Sequence, residues 1–80
     1  MYNELFAEKL IKARKNSGFT QQEVSNEIQI ARATLANYET GRTEPDIETL
    51  GKLIDFYNIS ADWLLGTGMQ QPSYIENNQI

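Results

Sequence analysis

The chain has 80 residues, a net charge of −4, 40% hydrophobic residues and 22% charged residues. This length allows one small domain, and this composition is typical of a folded globular protein rather than a disordered one. Cys and His are absent from the sequence, which excludes disulfides, thiol nucleophiles, imidazole acid–base catalysis and Cys/His zinc sites.

The beginning of the chain, MYNELFAEKL, carries acidic residues and lacks the basic-then-apolar pattern of a signal peptide. No apolar run approaches the roughly 18 residues that a membrane-spanning helix needs. The Asp and Glu residues form no recognisable catalytic constellation. We therefore expect a cytoplasmic protein that is not an enzyme, has no contact with a membrane and uses no cofactor, metal or small-molecule ligand.

An amphipathic stretch predicts a first helix over about residues 3–16. Its apolar residues recur at helical spacing: Leu5, Phe6, Leu10 and Ala13. Asn3 can cap the start of this helix. Gly18, in the NSGF that follows, can take the left-handed conformation that commonly ends a helix.

Two short helices are predicted next. TQQE at residues 20–23 is a capping box, in which the Thr20 hydroxyl accepts from the Glu23 amide and the Glu23 side chain reaches back. The apolar stripes of these two helices consist of Val24 and Ile28, then of Ile30, Leu35 and Tyr38. Gly41 marks the end of the third helix.

The fourth helix follows the loop RTEPD, and Asp46 is a good cap for its start. Its apolar stripe has a clear helical period: Ile47, Leu50, Leu53, Ile54 and Tyr57. Gly51 is unfavourable inside a helix, which predicts close packing against a neighbour there. A fifth helix covers ADWLL from the Ser60 cap to Gly66, and residues 67–80 are expected to be a flexible tail.

Five short helices without an alternating strand pattern predict a compact all-α domain over residues 1–66. Five aromatic residues fall on inward helical phases, and most of them are assigned to the core, with Phe56 or Trp63 also available for a dimer patch: Phe6, Phe19, Tyr38, Phe56 and Trp63. The second and third helices form a helix-turn-helix unit, in which the later helix enters the major groove of DNA.

The residue pattern of residues 6–66 resembles the helix-turn-helix domain of the Cro/C1-type repressors, also called the xenobiotic-response-element family of bacterial regulators. The matching elements are Arg14, the TQ at residues 20–21, Val24, Ile28, Ile30, Leu35, the YE at residues 38–39, Gly41, Pro45 and the WLLG ending. The resemblance implies the compact five-helix fold of the phage repressors. It also implies a sequence-specific transcriptional regulator, a repressor, that binds double-stranded operator DNA. One such module contacts few bases, so we expect it to act as a homodimer on two half-sites.

Two positions depart from the family pattern. The turn before the third helix usually carries Gly but has Gln29 here, where a positive φ would cost strain. The usual Ser or Thr cap of that helix is replaced by Ala31, which has no side-chain oxygen and costs about 1 kcal/mol of local helix stability. Both departures affect the position and orientation of the third helix rather than the fold.

The third helix is expected to contact the bases. Arg32, near its N-terminal end, can bind guanine O6 and N7, although a phosphate contact or a solvated side chain is the alternative. Asn37 can pair with adenine or bind phosphate. Ala33 and Ala36 can touch thymine methyls, allow close approach, or serve simply as good helix formers.

Four other residues are expected to contact the DNA backbone. The resemblance implies that Gln21 binds a phosphate at the start of the second helix and supports the third. Thr34 can bond phosphate from the edge of the third helix. Thr40 and Arg42 flank Gly41 in the loop that should meet the backbone, although Arg42 can also simply complement a helix dipole.

The family pattern also places a structural ion pair between Arg14 and Glu39, which would fix the third helix relative to the first. Lys9, Lys12 and Lys15 are interpreted as a solvated helix face, although one of them could approach the flanking phosphates. The competing hypothesis is a protein-interaction module or a DNA-binding antitoxin, because an acidic surface on the later helices could bind a basic partner: Asp46, Glu48, Asp55 and Asp62.

Overall fold

The computed structural model describes residues 2–66, with side chains from Leu5 onward, and these residues form five helices without a strand. The helices are α1 (Tyr2–Ser17), α2 (Gln21–Ile28), α3 (Arg32–Thr40), α4 (Ile47–Tyr57) and α5 (Ala61–Leu65). The predicted all-α architecture is confirmed. None of the helices in this part of the chain is long and apolar enough to cross a membrane. The predicted tail, residues 67–80, lies outside the described residues.

Side-chain caps begin three of the helices as predicted. The Thr20 hydroxyl accepts from the Glu23 amide at 3.1 Å, and the Glu23 carboxylate accepts from the Thr20 amide at 2.9 Å. Asp46 accepts from the backbone of Thr49 at 2.9 Å, and Ser60 accepts in the same way at the start of α5. The expectation for α1 is wrong, because that helix begins at Tyr2 and Asn3 therefore lies inside it.

The core takes at least one fully buried side chain from every helix. These side chains are Leu10, Val24, Leu35, Leu53 and Leu64, each at most 1% exposed. They belong to one continuous hydrophobic cluster, which joins the helix-turn-helix unit to α1, α4 and α5. Truncating such a leucine to Ala costs about 2–5 kcal/mol, so this cluster holds α3 in its place within the domain.

Several residues predicted to be packed are instead at the surface. Ile47 is 85% exposed, because it lies about 80–120° around α4 from Tyr57 and Leu53, the residues that face the core. Leu5 is 59% exposed and Phe19 is 39% exposed, although the Phe19 ring contacts Phe56 with centroids 5.0 Å apart.

The predictions for Gly51 and Lys9 are also wrong. A Cβ built on Gly51 would meet no atom within 4 Å, so the described residues do not pack closely against it. Lys9 is not simply solvated, because its ammonium donates to the Trp63 carbonyl at 2.7 Å and lies 5.5 Å from the centre of the indole ring. This contact fastens α5 to α1.

Candidate nucleic-acid interface

The turn between α2 and α3 is made without glycine. Gln29 takes the left-handed conformation, with φ 63° and ψ 51°, and the amide of Ile30 donates to the Ser25 carbonyl at 3.0 Å. Ala31 precedes α3 in an extended conformation and makes no side-chain cap hydrogen bond. The turn therefore keeps the conformation that glycine would adopt, at the steric cost that a Cβ brings in this region.

The outer face of α3 carries most of the residues predicted to contact DNA. At about 100° per residue, five of them fall within roughly 140° of the helix circumference: Arg32, Ala33, Ala36, Asn37 and Thr40. Thr34 lies about 60° further around α3 than Asn37, at the edge of this face, and like Ala36 and Asn37 it is half-buried. Arg42 is exposed in the turn after Gly41, where the Arg42 amide donates to the Asn37 carbonyl at 2.9 Å.

The inner face of α3 is fixed by a buried carboxylate. Glu39 is 4% exposed and accepts from Arg14 Nε at 2.8 Å and from Arg14 Nη2 at 3.1 Å. Gln21 Nε2 donates to the same carboxylate at 3.0 Å. Three hydrogen bonds therefore compensate the buried charge, and they join α3 to both α1 and α2.

The amide of Gln21 connects this buried pair to the surface. Its oxygen accepts from Arg32 Nη1 at 3.3 Å. Because a carboxylate can only accept, the Gln21 nitrogen must face Glu39, and this leaves the amide oxygen for the guanidinium of Arg32. The chain of contacts runs from Arg14 through Glu39 and Gln21 to Arg32, and we call it the α1–α3 network.

Comparison with known proteins identifies the family. A family model described as helix-turn-helix matches residues 10–64. The chain belongs to the Cro/C1-type helix-turn-helix family. The helix-turn-helix of this family member is formed by α2 and α3.

Individual members of the Cro/C1-type family are similar over most of this chain. The HTH-type transcriptional regulator ImmR of Bacillus subtilis (strain 168) is 43% identical over 58 residues, which are 72% of this chain and 46% of ImmR. The prophage-derived regulator YonR of the same organism is 40% identical over 82% of this chain and 62% of YonR. The phage CTXphi transcriptional repressor RstR of Vibrio cholerae is 34% identical over 69% of this chain and 50% of RstR. The chain thus spans about half to three fifths of the length of these curated relatives.

Two features of this Cro/C1-type domain were not foreseen from the sequence. The first is the hydrogen bond between Gln21 and Arg32, which depends on how α2 and α3 are placed relative to one another. The second is Tyr57, whose buried hydroxyl has no hydrogen-bond partner among the described residues. Burial raises the pKa of Tyr57 to about 12, with a further contribution from the charge of Glu39. The hydroxyl therefore stays protonated beside the ion pair.

The same buried surroundings also change the pKa of Arg14, the basic member of the ion pair. The hydrogen bond to Glu39 raises the pKa of Arg14, against the opposing effect of burial. Arg14 also donates from Nη1 to the carbonyl of Phe19 at 3.1 Å, so its guanidinium spans the junction between α1 and α2. The geometry presents an α3 that is anchored through Glu39, with small side chains on its outer face and the Arg32 guanidinium hydrogen-bonded to Gln21 at its N-terminal end.

Proposed function

We propose that the chain is a sequence-specific transcriptional regulator that binds double-stranded DNA with α3 in the major groove and acts as a repressor. The observation that carries this proposal is the α1–α3 network, which runs from a buried ion pair to Arg32 and orients that exposed side chain on the outer face of α3. A guanidinium held in this way needs little further ordering before it binds a base edge, so its hydrogen bonds contribute more fully to recognition.

The bases are contacted from the outer face of α3. Arg32 donates to guanine O6 and N7, which is the commonest specific contact in the major groove. Asn37, about one and a half turns later, pairs with adenine N6 and N7. Ala33 and Ala36 contact thymine methyls. Because both side chains are small, they also allow α3 to approach the base edges closely.

The DNA backbone is contacted around the edges of that face. Gln21 and the first amides of α2 bind a phosphate, since the N-terminal end of a helix favours anions. Thr34 contacts phosphate from the edge of α3. Thr40 and Arg42 bind a second phosphate where α3 ends, and such contacts set the register of the helix without selecting sequence.

The active species is a homodimer in the bacterial cytoplasm. One helix contacts few base pairs, and two-fold symmetry doubles the number of specific contacts on half-sites about one helical turn apart. The net charge of −4 also limits non-specific attraction to DNA, so specificity depends on those contacts. The proposal involves no catalysis and no small-molecule ligand.

A selection from a randomised duplex pool with the purified chain tests this function. One enriched sequence is expected. The affinity of the chain for that sequence should fall steeply between about 50 and 200 mM salt, because phosphate contacts release counterions. Arg32→Ala should change the enriched sequence. Lys15→Ala, on the exposed end of α1, is the matched control and should not. The proposal would be refuted if no sequence were enriched, or if the affinity did not depend on the salt concentration.

A further inference from the structure

A cleft of about 410 Å³ lies between the C-terminal end of α1 and the junction of α4 with α5. We call it the α5 cleft. Two buried residues and two half-buried ones form its apolar part: Ala13 and Tyr57, then Ile59 and Trp63. Its exposed lining residues are polar and uncharged: Asn16, Ser17 and Ser60. A cleft of this volume is large enough for a small molecule, and none of its residues is predicted to contact DNA.

Contacts between helices hold the sides of the α5 cleft in place. Asn58 ends α4 in the left-handed conformation, and the amide of Ile59 donates to the Ile54 carbonyl at 3.2 Å. The Lys9 ammonium fastens Trp63 to α1, because it donates to the Trp63 carbonyl at 2.7 Å and lies 5.5 Å from the centre of the indole ring. The cleft is therefore formed in the free chain, and a ligand does not have to order these elements.

The polar groups of the α5 cleft are only partly used within the described residues. Ser17 Oγ donates to the Ala13 carbonyl at 2.9 Å, so its oxygen can still accept. Ser60 Oγ accepts from the Trp63 amide at 3.1 Å, so its proton can still be donated. The hydroxyl of Tyr57, which also lines the cleft, is buried without a hydrogen-bond partner, and folded proteins seldom leave such a group unsatisfied.

The side chains of the α5 cleft indicate the class of molecule that it can hold. None of the described residues that line it carries a charge, so a charged ligand would lose its hydration without gaining an opposite charge. Tyr57 and Trp63 offer aromatic rings, which pack well against another ring in offset or edge-to-face arrangements. The cleft therefore suits an uncharged aromatic molecule that carries a hydrogen-bonding group.

We propose that the α5 cleft binds a small uncharged aromatic molecule, which acts as an effector of DNA binding. The effector role rests on the proposed function, whose DNA contacts themselves need no ligand. Tyr57 connects the cleft to the α1–α3 network. It lines the cleft, and its buried hydroxyl is close enough to the ion pair for the charges of Glu39 and Arg14 to act on it.

A molecule that fits the α5 cleft should strengthen DNA binding. The cleft is present in the same conformation as the intact α1–α3 network, in which Gln21 holds the guanidinium of Arg32. A ligand shifts a protein toward the conformation that it binds best, so this ligand favours the conformation that presents Arg32. By thermodynamic linkage, DNA should strengthen the binding of the ligand by the same factor.

Nuclear magnetic resonance of the whole 80-residue chain with 2-naphthol, without DNA, tests the site. Trp63 is the only tryptophan, so its indole N–H gives a single signal. This signal should shift saturably, with a Kd on the order of 1 mM for a molecule of this size. 2-Naphthoate has the same rings and a negative charge, and it should bind about tenfold more weakly. Equal binding would overturn the ligand class, and no saturable shift would overturn the site.

Two phenylalanine variants test whether 2-naphthol binds in the α5 cleft. Ser17→Phe places a ring in the cleft and should lower the affinity for 2-naphthol by on the order of tenfold. Lys15→Phe is the matched control, because Lys15 is exposed on the same helix and does not line the cleft. Both positions are exposed, so both variants should fold, which circular dichroism checks. Equal losses of affinity in the two variants would overturn the site.

Titration of the selected duplex with and without saturating 2-naphthol tests the effector role. The affinity of the chain for DNA should rise by about fivefold, at the lower end for coupled sites. Ser17→Phe should not respond to 2-naphthol. An unchanged or lower DNA affinity in the original chain would overturn the effector role. A chain that selects no duplex would refute the proposed function and the effector role together, whereas the experiments without DNA would still decide the site.

Discussion

Arg14 and Glu39 form a bidentate ion pair, in which the guanidinium donates to the two carboxylate oxygens at 2.8 and 3.1 Å. Arg14 is near the C-terminal end of α1 and Glu39 is near the C-terminal end of α3. The pair therefore sets the angle of α3 through two separate hydrogen bonds, and planar bidentate contacts of this kind resist rotation. Its influence reaches the surface through Gln21, which binds Glu39 and Arg32 at once.

Arg14→Met should destabilise the fold by about 3–5 kcal/mol, because it leaves the Glu39 carboxylate buried with only the Gln21 amide as partner. The double variant Arg14→Met/Glu39→Met should recover a large part of this loss, since neither charge then remains. Urea unfolding of the wild type, both single variants and the double variant measures the coupling. Additive losses in the double variant would contradict the assigned role of the pair.

Gln21→Ala should affect more than a phosphate contact. Without the amide oxygen of Gln21, the guanidinium of Arg32 loses the hydrogen bond that orients it in the free protein. Affinity should fall at every site, and discrimination at the base contacted by Arg32 should fall by about 1 kcal/mol as well. Competition binding with the selected duplex and its single-base variants measures both effects.

Thr40→Ala is the control for this variant, because Thr40 is proposed to contact phosphate alone. It should weaken binding to all duplexes alike. If Gln21→Ala behaved in the same way, with base discrimination intact, the hydrogen bond to Arg32 would have no role in recognition.

How well the sequence predicts a feature of this structure depends on how far apart the residues that form it lie in the chain. The capping box at Thr20 was predictable because its partners are three residues apart in the chain. The exposure of Ile47 was not, because periodicity defines an apolar stripe without showing how much of it neighbouring helices cover. The prediction that Gly51 packs closely against a neighbouring element was wrong for the same reason.

In the candidate site, too, contacts between residues that are distant in the chain could not be predicted from local spacing. The ion pair between Arg14 and Glu39 was implied by resemblance to a family, since 25 residues separate its partners and no local spacing indicates it. The hydrogen bond from Arg32 to Gln21 had no signal in the sequence. It depends on the angle between α2 and α3, and that angle follows from the turn at Gln29 and from the core beneath it.

Gln29→Gly should stabilise the domain by roughly 0.5–1 kcal/mol. Gln29 holds φ at 63°, where a Cβ crowds the following carbonyl, and glycine relieves this at some cost in chain entropy. Asn58→Gly is the matched control, because Asn58 has φ 57° but asparagine tolerates this region better. Thermal unfolding of the two variants should show the larger gain for Gln29→Gly, and an equal or smaller gain would mean that Gln29 is unstrained.

Tyr57→Phe should be as stable as the wild type at pH 7, or more stable by up to about 1 kcal/mol. The hydroxyl of Tyr57 is buried without a hydrogen-bond partner among the described residues, and removing such a group ends its desolvation cost. Urea unfolding at neutral pH measures the difference. A loss above about 1 kcal/mol would mean that the hydroxyl has a stabilising partner.

The same substitution should change the response to alkaline pH. The pKa of Tyr57 is raised to about 12 in the folded chain, whereas an unfolded tyrosine ionises near pH 10. The folded state therefore binds more protons between these two values, and the free energy of unfolding falls as the pH rises through them. Tyr38 retains a similar but smaller contribution, because burial raises its pKa too. The slope between pH 10 and 12 should consequently be shallower in Tyr57→Phe than in the wild type, and identical slopes would show that Tyr57 is not responsible.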